Sequence, residues 1–176
     1  MKPNLSSWLI AISLTIFFVA GFFIWQRYAP LPVPTVISQV QSASASATLR
    51  IGIPVLDLDI PVYEGKLEGT KWEYSTIGVS HLSTTPWAGQ FGNAVYYGHN
   101  WPNLLGDLHS IKKGDLLVVT ASNNTRHTFI VDSIETVTSD QTRILAPTQD
   151  TRLTLFTCTG FLDSKRLVVT ARYLAR

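Results

Sequence analysis

The chain holds a single cysteine, Cys158, and its neighbours suit a nucleophile. A thiol attacks a carbonyl as the thiolate, so it needs a cation or a base within reach. Leu153, Leu155 and Thr157 alternate with Thr154, Phe156 and Cys158, the pattern of a strand that delivers the thiol to its end. After a short loop, Arg166 opens a second apolar, β-branched run. If the two runs pair as a hairpin, the guanidinium comes to lie beside the thiol. Four histidines could serve as the base: His81, His99, His109 and His127. His99 follows an apolar strand pattern and Gly98, which puts it at a rim. His81 falls in a Gly/Ser/Thr-rich loop where it can line a site. His109 sits in the polar part of a short helical pattern, and His127, beside Arg126, reads as solvent-facing. Taken singly, a free cysteine is more often a small buried apolar side chain, and an arginine an ordinary surface charge. A strand-end Cys, a strand-end His and a strand-start Arg can instead gather at one barrel rim.

The elements that would position these residues are short strands. Residues 49–54, 58–62, 93–97, 116–120, 128–137, 153–157 and 167–174 carry apolar or β-branched runs bounded by Gly, Pro, Asn or Asp. Residues 103–111 suggest a short helix ended by Lys112, Lys113 and Gly114. Residues 64–75 read as irregular or a short helix, and 77–93 as a loop. Many short strands with few helices give a mainly β domain, a closed barrel or a sandwich.

Fourteen Lys/Arg against twelve Asp/Glu give a net charge of +2, and Lys2 and Arg27 supply the excess. No basic stripe points to nucleic acid. One cysteine excludes an internal disulfide. The acids are scattered, so neither a metal site nor a cofactor is expected. Residues 8–25 contain no charge and, as a helix, would span about 27 Å, close to a bilayer core. Trp8, Trp25 and Tyr28 stand where interfacial aromatics belong. The expected organisation is a retained transmembrane anchor over 1–28, weighed against a cleaved signal peptide, a Pro/Ser/Ala-rich linker over 29–48 and a folded domain over 49–176. The charges on either side of the anchor decide orientation poorly, and a cytoplasmic start follows only from the resemblance given below.

Thr154-Leu155-Phe156-Thr157-Cys158 resembles the TLxTC signature of the sortases, cysteine transpeptidases of bacterial cell surfaces. Gly98-His99 at the end of its strand is similar to that family's catalytic histidine, and Arg166-Leu167-Val168-Val169 to its arginine-led strand. Ile53-Pro54, Gly92-Asn93 and Lys113-Gly114-Asp115 fall in the family's order. The resemblance implies an eight-stranded sortase-type β-barrel with short helices, behind one N-terminal transmembrane helix, the catalytic domain being extracellular. It implies catalysis by His99, Cys158 and Arg166, with Thr157 and His81 as candidates for substrate binding. The substrates would be proteins carrying a C-terminal LPXTG-like signal, cut between Thr and Gly. The acyl group would pass from a Cys thioester to an amine acceptor on a cell-wall precursor or another protein. The compact form resembles class D or E. Thr159-Gly160-Phe161 departs from relatives that have a proline after the cysteine, which bears on the preferred pentapeptide.

Other cell-wall cysteine enzymes fit less well. L,D-transpeptidases place Ser/His-Gly directly before the cysteine, and papain-like hydrolases place Cys before His. A reading from another class is a tethered β-barrel binding module whose Trp72, Trp87 and Trp101 contact sugar or peptide.

Overall fold

The computed structural model describes residues 5–28, 48–65, 67–68 and 71–175. The linker expected over 29–48 lies outside them except for Thr48, which instead opens the first strand. Helix α1 runs Leu5–Tyr28. Among the described residues no helix is long and apolar enough to cross a membrane, so the expected transmembrane helix is not found there.

The strands are β1 (Thr48–Ile53), β2 (Leu58–Gly65), β3 (Leu67–Glu68), β4 (Lys71–Trp72), β5 (Val79–Leu82), β6 (Gly92–Gly98), β7 (Leu116–Ala121), β8 (Arg126–Thr138), β9 (Thr151–Thr159) and β10 (Lys165–Tyr173). Eight of them close a barrel in the order β1-β2-β5-β6-β9-β10-β8-β7, and β3-β4 form a separate ribbon. The mainly β, eight-stranded barrel expected from the sequence is therefore present. Three expectations are corrected. The stretch 64–75, read as irregular or a short helix, holds the end of β2 and the β3–β4 ribbon. Residues 79–82 are a strand rather than part of a loop, and residues 103–111 contain only a 3-10 turn at Gly106–Ser110. All four residues of β5 are buried, so no polar face alternates along it and the period-2 signal is absent.

Two pairings, one parallel and one antiparallel, decide where chemistry can sit. Strand β6 runs parallel to β9, with Gly98 opposite Thr157, so the two strands finish at the same end. Strand β10 returns antiparallel along β9, so its start meets β9's finish. Side chains alternate across this sheet. Ala94, Tyr96, Leu153, Leu155 and Val169 fill the barrel interior. Val95, Tyr97, Phe156 and Val168 form a second apolar cluster on the outer face, against which Trp72, Tyr74, Ile144 and Leu145 pack.

Candidate active site

Cys158 and Arg166 are directly opposite partners in the β9–β10 pairing. Cross-strand partners carry their Cβ atoms about 5 Å apart on one face, so thiol and guanidinium share the outer face. His99 is the residue after β6, and Gly98 sits beside Thr157, so His99 follows at the strand end next to Cys158, on the side opposite β10. Gly98 is packed closely; a Cβ there would stand 3.2 Å from both Leu105 and Val79. The structure thus brings the three expected residues to one end of three adjacent strands.

The turn after β6 is tied to itself. Leu105 N donates to His99 O (3.2 Å), and Leu104 N and Gly106 N donate to Trp101 O (2.9 and 2.8 Å). This turn brings the Trp101 indole onto the His99 ring, with centroids 4.4 Å apart and planes 8° from parallel. Tyr74 reaches the same imidazole from the segment after β4, at 5.2 Å. Arg166 is held by its own loop, Nη1 donating to Asp163 O (2.7 Å) and Lys165 O (2.8 Å). Leu162 and Asp163 in that loop have φ of +49° and +58°, the left-handed region that non-glycine residues enter at a cost. Beside Arg166 lies a cleft of about 90 Å³, lined by Trp72, Tyr74, Ile144, Leu145 and Phe156. A larger hollow of about 440 Å³, where Arg50, Asp59 and Arg126 line the barrel's side, is lined by none of His99, Cys158 and Arg166.

Burial governs protonation at the site. It pushes the Cys158 thiol up from its ordinary value, and the Asp163 carboxylate adds to the rise, while the Arg166 cation and a Tyr74 hydrogen bond oppose it. Burial pulls the His99 imidazole down, partly offset by Asp163. Both groups are therefore mostly uncharged at neutral pH, and the thiolate must form by passing its proton to a neighbouring base. A neutral imidazole is the form that accepts one.

The remaining candidates do not meet the thiol. Thr157 is 3 % exposed, and its hydroxyl donates to Gly98 O at 2.9 Å. It cross-links the strands that carry His99 and Cys158. His81 is 1 % exposed, stacks on Trp87 at 3.8 Å and donates from Nε2 to Pro86 O at 3.1 Å. It is paired with Tyr96, whose side chain belongs to the interior. His109 is exposed, donating from Nδ1 to Gly106 O. His127, expected in solvent, is half-buried with its Nδ1 enclosed. Gly89 lies so close to it that a Cβ there would meet the imidazole at 2.6 Å. Among the described residues no group of His, Cys, Asp and Glu could hold a metal ion. Sequence reasoning passed over Tyr74 as a site residue and read Trp101 only as a possible sugar or peptide contact. Trp101 carried a signal, two positions after His99; Tyr74 lay in a polar stretch with none.

The comparisons agree with this geometry. A sequence model of the sortase domain matches residues 51–174. A lid mutant of sortase A from Corynebacterium diphtheriae superposes with a TM-score of 0.65 at 29% identity, over 78% of this chain and 75% of that one. Sortase C1 from Streptococcus agalactiae gives 0.63 at 26% identity, over 79% and 73%. Sortase C-1 from Actinomyces oris gives 0.63 at 26%, over 77% of each chain. No curated protein sequence matches the chain.

Proposed function

The chain belongs to the sortase family, and on that premise we propose that it is a transpeptidase attaching proteins to a cell surface. The observation that carries the reading is the register that sets Arg166 opposite Cys158, with Gly98-His99 ending the adjoining strand. Cys158 Sγ passes its proton to His99 and attacks the scissile carbonyl, forming a C–S bond and a tetrahedral oxyanion. Arg166 faces the developing negative charge; one fixed donor of this kind is worth about 3 kcal/mol. The intermediate collapses with cleavage of the C–N bond, and His99 gives its proton to the departing amine. An incoming amine then attacks the thioester, loses a proton to His99 and releases the thiol. One amide is exchanged for another, with no redox change and no cofactor.

The proposed signal is LPXTG-like and cut between Thr and Gly. The wall that Trp72, Ile144, Leu145 and Phe156 give the cleft beside Arg166, the rest being lined by Tyr74, Ser139, Gln141 and Thr142, supports an apolar side chain in the signal, leucine being the one that motif supplies. The proposed location is a single-pass anchor in the cell membrane, N-terminus inside and barrel outside. Supporting it, residues 8–25 are uncharged, and Ile10, Ile12, Leu14, Ile16, Phe17 and Phe18 of α1 all stand exposed. A helix apolar all round needs an apolar surrounding.

The test uses the full chain purified in mild detergent, LPXTG and LAXTG peptides, and hydroxylamine as acceptor. Mass spectrometry should find the hydroxamate formed after Thr, and none from Cys158→Ala. Turnover that survives Cys158→Ala would overturn the mechanism. Peptide retention without cleavage by either protein would favour a binding module.

A further inference from the structure

Tyr74 contacts the site from outside the three strands that build it, on the segment after β4. Its ring stands 5.2 Å from the His99 imidazole and 5.1 Å from Tyr97, edge-on. It lines the cleft together with Arg166 and Phe156. Its backbone neighbourhood is anchored: Ser75 N donates to Ser80 Oγ at 3.1 Å, and Tyr97 Oη donates to Glu73 O at 2.8 Å. Residues 73–75 are thus pinned to β5 and β6, and the Tyr74 ring is wedged between Tyr97 and His99. A phenol held this firmly has little rotamer entropy left to lose on forming a hydrogen bond.

We propose that Tyr74 is a fourth catalytic residue, whose hydroxyl donates a hydrogen bond to the Cys158 sulfur when it is a thiolate and shares with Arg166 the stabilisation of charge formed there. This rests on the transpeptidase reading of the site. Tyr74 and Arg166 line one cleft, Arg166 is the cross-strand partner of Cys158, and the phenol, the thiol and the guanidinium each bear on the others' ionisation. Burial, foremost, and then the facing thiol keep the phenol protonated, against the pull of Arg166. The phenol is therefore a donor at neutral pH. Around the sulfur, Arg166 and the Tyr74 hydroxyl favour thiolate, Asp163 and burial disfavour it, and the His99 imidazole, held toward its neutral form by burial, ends the adjoining strand. Arg166 spends one nitrogen on the carbonyls of Asp163 and Lys165. A second, neutral donor supplies directional contact to the sulfur that the loop-bound guanidinium gives only in part. Unlike another cation, it does so without raising the cost of placing charge in a half-buried site.

The experiment compares the full chain with Tyr74→Phe, which keeps the ring, its stacking and the burial and removes only the donor. Iodoacetamide alkylation of Cys158 is followed as a function of pH, with no peptide present, and kcat/KM is measured on the best peptide. We expect the alkylation midpoint to move to higher pH and kcat/KM to fall about tenfold, the factor one hydrogen bond to a charged group is worth. The thermal midpoint should be unchanged. An alkylation profile identical to that of the unaltered chain would overturn the proposal. So would a gain in kcat/KM, which would make Tyr74 an obstacle over the thiol rather than a donor to it. Absence of peptide turnover in the unaltered chain would be a failure of the transpeptidase reading, and the alkylation profile would still decide the role of Tyr74.

Discussion

Tyr96 and Tyr97 are consecutive on β6, both fully buried, and they belong to opposite faces of one sheet. Tyr96 points into the barrel, where its hydroxyl meets Thr48 Oγ1 at 2.7 Å and accepts from Ala88 N at 3.0 Å. Burial raises its pKa well above the ordinary tyrosine value. Tyr97 lies under the outer cluster, stacked on Phe156 at 5.6 Å and edge-on to Trp72 at 5.0 Å, its pKa pushed up by burial to about 12. The inner face is closed on itself, with strands all round. The outer face is covered only by the segment carrying β3 and β4 and by the β8–β9 connection, and the cover leaves the cleft beside Arg166. The same alternation is repeated on β9 (Thr157 in, Cys158 out) and on β10 (Leu167 in, Arg166 out). One sheet thus gives rigidity on one side and an accessible thiol on the other.

If this division is real, substitutions on the two faces should separate activity from stability. The largest effect belongs to Arg166→Ala. We expect kcat/KM to fall by about 10²–10³, the loss typical of one transition-state donor, while the denaturation midpoint shifts little. Near-normal activity would remove Arg166 from its role and leave Tyr74 as the donor at the sulfur. The inner face should behave in the opposite way. Leu155 is fully buried, two residues before Thr157. Leu155→Ala should cost about 2–5 kcal/mol of stability through the lost apolar contact and the cavity left behind. The fraction still folded should keep its kcat. A large loss of kcat with unchanged stability would mean that the two faces are not separable.

Much of this was legible in the chain. The alternation from Leu153 to Cys158 assigned each residue to its face correctly, because a strand buried against different partners on its two sides still keeps period 2. The short loop between Cys158 and Arg166 allowed a hairpin, and the pairing of the two strands supplies its register. What could not be read depends on long-range contacts. Strand β5 is enclosed on both faces, so Ser80 and His81 look like loop residues until β2 and β6 are placed beside it. His81 and Thr157 are polar residues near a motif, yet each satisfies an internal partner, and only the three-dimensional pairing reveals it. Tyr74 approaches from residues with no apolar period, across a distance in sequence that no local rule spans.

The smallest effect sharpens the comparison most, because Thr157 faces inward while touching the strand that ends in His99. Its hydroxyl donates to Gly98 O in a fully buried setting. Thr157→Val keeps shape and β-branching, so the change isolates that bond. Its loss should cost about 1–2 kcal/mol, since a buried carbonyl forfeits a partner. The bond also ties the end of β6 to β9, so loosening it lets His99 drift relative to Cys158, and kcat should fall by less than tenfold with KM unchanged. Chemical denaturation and steady-state kinetics on the same preparation check both numbers. A rise in KM with intact stability would instead put the Thr157 hydroxyl on the substrate. The inner face would then reach into the groove, contrary to the register that turns Cys158 outward and its neighbour in.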